Sequence, residues 1–332
     1  MRVCIVGAGA VGGWIGATLS ARLGAEVRLS ALARGATLQA LRAHGLRMEG
    51  PAAGGERISV PVRASDQAAE LGTQDLIVLA VKAPALAEVA SAVQALLAPD
   101  GLVLQAMNGV PWWCFDGLAG PCQGLRLESV DPGGAVRAAI PAAQVLGAVV
   151  HASCQVSEPG LVRHVSGMGL ILGEALPGAA PSARVQALAA LLERGGFAAS
   201  ASACIQKDIW YKLWGNMTFN PISALTGATG DRILDDELVR GFVTAVMVEA
   251  AAIGARIGCE VGQTPQERHA VTRKLGAFKT SMLQDVEAGR RIELAALVAA
   301  VREIAQAVAV PTPFTDALLG LTRLMAQTRG LL

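Results

Sequence analysis

The sequence contains few charged residues and almost no excess of either sign. Lysine, arginine, aspartate and glutamate make up 17% of the 332 residues, and the formal net charge is +1. No run of basic residues breaks this balance. Because nonspecific attraction to nucleic acid or to an anionic membrane needs a broad positive field, we expect neither as a partner. Any site for an anion must therefore be built locally.

The spacing of a metal site or of a disulfide framework is also missing. Six cysteines and four histidines occur, but no two cysteines form a C-x-x-C pair and no histidines show zinc-finger spacing. The first apolar stretch is too short for a secretory leader, and no uncharged apolar run reaches membrane-spanning length. We expect a soluble, cytoplasmic protein with reduced cysteines and without a metal ion.

Apolar residues, by contrast, are abundant and form 52% of the chain. A chain of this length is expected to fold into two domains, each with a core of its own. In the first half, short apolar runs alternate with helical patterns, which is typical of βαβ units and a parallel sheet. Strands are predicted at 2–6, 26–30, 76–81, 101–105 and 145–150, and helices at 12–23 and 37–44.

The pattern changes towards the second half of the chain. Residues 161–165 and 170–172 are predicted to form a hairpin that closes the sheet edge, and residues 177–181 to form a loop. Beyond them the sequence is rich in alanine and leucine and has helical periodicity. We therefore place an α/β domain at 1–198 and an all-α domain at 199–332.

A glycine-rich motif directly follows the first predicted strand and opens the first predicted helix. The motif G-x-G-x-x-G consists here of Gly7, Ala8, Gly9, Ala10, Val11 and Gly12. In a strand–turn–helix context it is typical of a Rossmann dinucleotide site, with the pyrophosphate at the helix N-terminus. The alternative is a glycine-rich turn that holds no ligand.

The end of the second predicted strand favours NADP over NAD. NAD sites usually place an acid there to bind the ribose hydroxyls. Here Glu26 lies at the start of the strand, and no acid follows before Glu49. Arg34 would instead receive a 2′-phosphate, although a solvated residue at a helix start is an alternative interpretation.

Two polar residues follow other strands of the predicted sheet. Lys82 comes after the strand at 76–81, and Asn108 follows the strand at 101–105. Ligands in such sheets bind outside the carboxyl ends of the strands, so both residues are candidates for cofactor or substrate binding. The alternatives are a surface lysine and a turn asparagine.

A lysine and two asparagines form a stripe in the helical half. Lys212, Asn216 and Asn220 recur at i, i+4 and i+8, while Trp210 and Trp214 fall on another face of the same helix. Such a stripe suits a small, oxygen-rich anion, because the lysine supplies charge and a proton and the amides supply hydrogen bonds. The alternative is a solvated helix face, and Pro221 predicts a kink after Asn220.

A late polar cluster is harder to interpret from its residues alone. Ser281, Asp285, Glu287 and Glu293 are all compatible with helix caps and surface charges. Nothing in the residues themselves favours Glu293 over the other two acids.

Together these segments resemble the ketopantoate reductase family (2-dehydropantoate 2-reductases) over nearly the whole chain. The matching segments are GAGAVGGWIG at 7–16, AVKA at 80–83, MNGV at 107–110, residues 151–169, WYKLWGNMTFNP at 210–221 and TSMLQDVEAGRRIE at 280–293. The resemblance implies an N-terminal Rossmann domain followed by an all-α domain like the C-terminal domain of 6-phosphogluconate dehydrogenase. It also implies NADPH-dependent reduction of 2-dehydropantoate to pantoate, on the route to pantothenate and coenzyme A.

By position, the resemblance also implies roles for single residues. Lys212 matches the general acid of the family, and Glu293 matches a catalytic glutamate that binds the developing hydroxyl. Substrate-binding positions are matched by Asn108, Asn216, Asn220 and Ser281. Lys82, Asn108 and Arg34 match cofactor-side positions.

The chain departs from the family pattern near the expected substrate site. Ala85 replaces an expected glutamine, Trp112 and Trp113 are bulkier than expected, and residues 114–136 have the character of an insertion. Two alternatives therefore stay open: a reductase of another small 2-oxo acid, and a non-catalytic NADPH-binding sensor. The apolar helical domain could bury a dimer face, so a homodimer is a candidate assembly.

Overall fold

The computed structural model describes residues 1–332, and the chain divides into two compact units. The first unit comprises Met1–Met107 and Ala135–Ile205, and the second comprises Asn108–Gly134 and Gln206–Leu332. The division differs from a single boundary near residue 199, because the segment Asn108–Gly134 belongs to the second unit. Trp113 and Phe115 in this segment are fully buried.

The first unit is built on one ten-stranded sheet. In chain order the strands are β1 Arg2–Val6, β2 Arg28–Leu32, β3 Leu46–Glu49, β4 Arg57–Val60, β5 Arg63–Ser65, β6 Gln74–Leu79, β7 Leu97–Gln105, β8 Val145–Glu158, β9 Leu161–Glu174 and β10 Ala198–Ala201. Their spatial order is β4-β3-β9-β8-β7-β6-β1-β2-β5, and β10 pairs with β9 off this path.

The part of the sheet from β5 to β8 is parallel throughout. Both faces of such a sheet are covered, and the side chains of Val3–Val6 are accordingly 0–1% exposed. From β1 the chain proceeds through β2 and later returns to β6 on the other side of β1. The topological switch point, where ligands of this fold class bind, therefore lies between β1 and β6.

Helices complete both units. In chain order they are α1 Ala10–Leu23, α2 Gly35–His44, α3 Ala68–Leu71, α4 Leu86–Leu96, α5 Ala135–Ala139, α6 Ala183–Arg194, α7 Ile205–Thr226, α8 Gly230–Asp235, α9 Glu237–Arg256, α10 Pro265–Arg273, α11 Ser281–Glu287, α12 Ala300–Ala307 and α13 Pro313–Thr328. A π-helical turn, Ala295–Ala299, directly precedes α12. The predicted α/β Rossmann domain followed by an all-α domain is confirmed.

The five strands and two helices predicted in the first half all occur, but the predicted hairpin is wrong. Residues 161–172 lie within one continuous strand, β9, which pairs with β8 in an antiparallel hairpin. Gly167 does not form a turn between strands. It lies at an irregularity of the ladder, where a Cβ atom would come within 2.4 Å of the His151 carbonyl oxygen. A glycine inside a strand often marks such a close backbone approach.

The core of the second unit forms where α7 packs against α9. Trp214 is fully buried, and its indole Nε1 donates to the Met247 carbonyl oxygen at 2.7 Å. On the other side of α9, the carboxylate of Glu249 accepts from the backbone N–H groups of Phe314 and Thr315 at the start of α13. By length and apolar composition α9 would pass as a membrane-spanning helix, a test that a core helix of a soluble protein also passes.

Pro221 does not end α7, which continues to Thr226. Because proline has no N–H group, the helix lacks the hydrogen bond to the carbonyl of Met217. Asn220, the residue before it, is 6% exposed. The stripe predicted from Lys212 to Asn220 therefore lies on one unbroken helix.

Candidate active site

The glycine motif of the first unit forms the turn between β1 and α1. Gly7 has φ +97°, and a Cβ atom there would lie 2.7 Å from the backbone of Ala80 and Val81 after β6. At Gly12 a Cβ atom would lie 2.3 Å from the Gly7 carbonyl oxygen. Both glycines are therefore required by the fold itself.

Gly9 differs from its two neighbours in the motif. No atom lies within 4 Å of the position that a Cβ atom would occupy there, so the backbone at Gly9 faces open space. Gly9 is also the N-cap of α1. It has no side chain that could cap the helix, and the first turn of α1 contains no acid. An uncapped helix N-terminus with free approach fits a pyrophosphate, and the residues present fit a dinucleotide.

Arg34 is the N-cap of α2, just beyond the end of β2. Its guanidinium Nη2 lies 2.9 Å from Oε2 of Glu88, and the side chains are 78% and 46% exposed. Glu88 belongs to the first turn of α4, after β6. The sequence did not point to this acid, because 54 residues separate the two partners.

Lys82 lies shortly beyond β6, at the N-cap position of a short 3₁₀ turn over Ala83–Ala85. It is half-buried, and it follows the strand that borders the switch point. The structure therefore places the glycine motif, Arg34 and Lys82 at the carboxyl ends of β1, β2 and β6, three strands that are neighbours in the sheet.

The second unit brings Lys212 and Asn108 together. Lys212 on α7 donates from Nζ to Oδ1 of Asn108 at 2.9 Å, although 104 residues separate them in the chain. Burial lowers the pKa of Lys212 to about 8, while the negative charge of Glu293 acts to raise it. Glu293 itself is 9% exposed.

The remaining stripe residues meet the late polar cluster. Asn220 donates from Nδ2 to Oγ of Ser281 at 3.4 Å. Ser281 is exposed at the first position of α11, where the Thr280 hydroxyl caps the helix by accepting from Leu283 N–H. Asn216 lies half-buried on α7, one turn after Lys212.

The surroundings of the three late acids distinguish Glu293 from the others. Asp285 forms an ion pair with Arg290 at 3.1 Å, and Glu287 forms one with Lys279 at 2.7 Å. These two acids therefore have structural partners close in sequence. The Glu293 carboxylate acts on the Lys212 ammonium and raises its pKa.

The two tryptophans that follow Asn108 belong to the packed interior. Trp112 is 3% exposed and Trp113 is 0% exposed. Side chains buried to this degree do not line an open cleft, so their bulk gives no argument against a particular substrate.

Lysine, amide and carboxylate together suit a reaction in which negative charge develops on an oxygen. The Lys212 ammonium can donate a proton to that oxygen, since its pKa of about 8 lies near the working pH. The Asn108 and Asn220 amides offer hydrogen bonds that orient a small polar molecule. Such an arrangement suits general-acid catalysis.

The two halves of the chain match two models of one protein family. Residues 3–112 match the model described as ketopantoate reductase PanE/ApbA, and residues 204–326 match its C-terminal model. A 2-dehydropantoate 2-reductase from Mesorhizobium japonicum is 44% identical over 330 residues, which cover 99% of both chains. The crystal structure of a putative ketopantoate reductase from Ralstonia solanacearum has a TM-score of 0.94 and 56% identity, and covers 100% of this chain and 99% of that one.

Two more distant structures share the fold alone. D-mandelate dehydrogenase with NADH and anilino(oxo)acetate has a TM-score of 0.84 at 21% identity, with 100% of both chains covered. A ketopantoate reductase from Staphylococcus aureus, described as dimeric, has a TM-score of 0.75 at 22% identity, with 99% of this chain and 100% of that chain covered.

Proposed function

Because this chain belongs to the ketopantoate reductase family and is therefore an oxidoreductase that uses a nicotinamide cofactor, we propose that it reduces 2-dehydropantoate to pantoate with NADPH. The observation that carries the proposal is the contact of Lys212 with Asn108 beside Glu293. That set supplies a proton donor and hydrogen bonds for a 2-oxo acid, which a non-catalytic sensor would not need.

NADPH is proposed over NADH because of the residues that follow β2. No acid follows that strand closely enough to bind a ribose 2′-hydroxyl, and the position of Arg34 at the N-cap of α2, just beyond the strand, supports binding of a 2′-phosphate. The Arg34 guanidinium is already paired with the Glu88 carboxylate, so a 2′-phosphate would compete with that carboxylate. Cofactor binding is assigned to Gly7–Gly12, Arg34, Lys82 and Asn108.

When bound, the nicotinamide supplies the hydride that the 2-oxo carbon requires. The developing alkoxide takes a proton from Nζ of Lys212, which leaves a neutral amine that solvent protonates again. Glu293 binds the resulting hydroxyl and holds the lysine in its charged form before transfer, since an opposite charge favours the ammonium. Asn216, Asn220 and Ser281 bind the substrate.

The protonation state of Lys212 suits this role at neutral pH. With a pKa of about 8, the amine is mostly protonated at pH 7 and still gives up its proton more readily than an exposed lysine. A buried ammonium is costly, and desolvation accounts for the lowered pKa. Burial thus tunes this lysine for proton donation.

A cytoplasmic location and a homodimer are part of the proposal. Two helices of the second unit that pack against each other expose large apolar side chains, Leu238 and Val248 on α9 and Leu321 and Leu324 on α13. Leu238 is 84% exposed. Exposed apolar surface of this kind is typical of an interaction site, and a second copy of the chain would cover it.

The proposed function is tested by following NADPH absorbance with purified protein and 2-dehydropantoate, with pyruvate and 2-oxoisovalerate in parallel. Turnover of 2-dehydropantoate alone, at an efficiency above about 10⁴ M⁻¹s⁻¹, is the expected result. Preference for another 2-oxo acid would establish a sister reductase. Tight NADPH binding without turnover of any of them would favour the sensor.

A further inference from the structure

The helix that follows Glu293 does not begin as an α-helix. The N–H of Ala300 donates to the Ala295 carbonyl, five residues back, and Ala295–Ala299 form a π-helical turn. In an α-helix, Ala300 N–H would bond to Ala296 instead. The Ala296 carbonyl accepts from Val110 N–H at 2.9 Å, which ties this turn to the segment that carries Asn108.

Gly109 makes the close approach to this turn possible. Its φ is +88°, and a Cβ atom there would lie 2.7 Å from both the Cβ atom and the carbonyl oxygen of Ala296. Two independent requirements, a left-handed backbone and the absence of a side chain, thus coincide at the residue next to Asn108.

The contact of Gly109 with Ala296 joins the segment that carries Asn108 to the segment that carries Glu293. Asn108, which accepts from Lys212 Nζ, directly precedes Gly109, and Glu293 lies three residues before Ala296. We propose that the π-helical turn Ala295–Ala299 positions Asn108 against Lys212 through the contact of Gly109 with Ala296. Gly109 and Ala296 are therefore positioning residues, and their role rests on the proposed function of Lys212.

The physical reason is that the site tolerates little displacement. π-helical turns are less favourable than α-helix and occur frequently at functional sites. A shift of about 1 Å in a reacting group costs on the order of a hundredfold in rate. The hydrogen bond of Val110 N–H and the close contact of Gly109 with Ala296 fix the segment directly after Asn108 more tightly than a flexible loop would.

The chain offers a matched pair of variants to test this. Gly109→Ala places a methyl group against Ala296. Gly124→Ala, in the same segment, strains a backbone of nearly the same φ, +78°, but nothing lies within 4 Å of its new Cβ atom. Only the first variant should move Asn108.

We expect Gly109→Ala to lower kcat by about tenfold to a hundredfold, and Gly124→Ala to keep wild-type kcat. A second measurement does not need turnover: the pH dependence of Lys212 labelling by an amine reagent, read by mass spectrometry on the protein without substrate. Because Asn108 Oδ1 stabilises the ammonium, its displacement should move the labelling midpoint to lower pH in Gly109→Ala only. Glu293 is unchanged in both variants, so its charge does not account for a difference between their labelling midpoints.

Equal kcat and equal labelling midpoints for the two variants would overturn the inference. If Gly109→Ala does not fold, Ala296→Ser adds one atom at the same contact and should shift kcat and the midpoint in the same direction by a smaller factor. A wild-type protein that reduces no 2-oxo acid would sink the proposed function, whereas the labelling midpoints would still decide the positioning role.

Discussion

In the first unit, the candidate dinucleotide site is made largely by consecutive residues, Gly7–Gly12, whereas the candidate site in the second unit draws on three segments far apart in the chain: the segment of Asn108, helix α7, and residues 281–293. The glycine loop works through its backbone: Gly7 and Gly12 allow close packing, and Gly9 leaves space. The lysine site works through side chains whose charge depends on burial and on Glu293. A short motif can therefore specify the first site, whereas the residues of the second site come together only when distant segments of the chain pack against each other.

This comparison predicts that the two sites can be damaged separately. The largest effect is expected for Lys212→Ala, which should lower turnover by about 10²–10⁴-fold, the range for loss of a general acid. Calorimetric affinity for NADPH should stay close to that of the wild type, because the variant leaves the glycine loop, Arg34 and Lys82 intact. Near-normal turnover would remove Lys212 from the role of acid.

Arg34→Ala should affect only the first site and only one cofactor. Loss of hydrogen bonds to a charged group would weaken NADPH binding by about tenfold to a hundredfold and leave NADH binding nearly unchanged. Glu88→Gln should act in the opposite direction and tighten NADPH binding by up to about fivefold, because exposed ion pairs are weak. The measurement uses two fragments of the cofactors: adenosine 2′,5′-bisphosphate, which carries the 2′-phosphate of NADPH, and AMP, which lacks it. If Arg34→Ala weakened the binding of both fragments equally, Arg34 would not contact the 2′-phosphate.

Gly9→Ala tests whether the open space at Gly9 is needed for the approach of the pyrophosphate. The new methyl group fits the unliganded protein, so we expect a small change in melting temperature but about tenfold weaker dinucleotide binding. Gly12→Ala is the control, since its Cβ atom would lie 2.3 Å from the Gly7 carbonyl oxygen and should lower the melting temperature clearly more. Wild-type affinity in Gly9→Ala would mean that the pyrophosphate does not approach there.

The last prediction concerns pH and leaves the sequence unchanged. The folded-state pKa of Lys212 is lowered to about 8, so the protonated acid is present below that pH and is lost as the pH rises through it. The rate of the chemical step should fall about tenfold per pH unit above pH 8, while NADPH affinity stays level. A rate that is flat up to pH 10 would show that this pKa does not control the reaction.

How far the sequence predicted these sites differs between the units. The strand–glycine–helix segment was predicted because its signals are local, and the stripe of Lys212, Asn216 and Asn220 was predicted because 3.6-residue periodicity places them on one face. The hairpin was predicted wrongly because Gly167 marks a bulge in a strand as readily as a turn. The residues alone did not separate Glu293 from Asp285, since that choice depends on partners.

The sequence by itself determined the βαβ pattern, the glycine loop and the stripe on α7, because short-range spacing governs backbone conformation. Only the tertiary structure decided that Asn108 accepts from Lys212, that Glu88 pairs with Arg34, and that a π-helical turn meets Gly109. The physical reason is that desolvation and hydrogen-bond partners depend on which distant segments become neighbours. The spacing of residues along the chain does not indicate which segments these are.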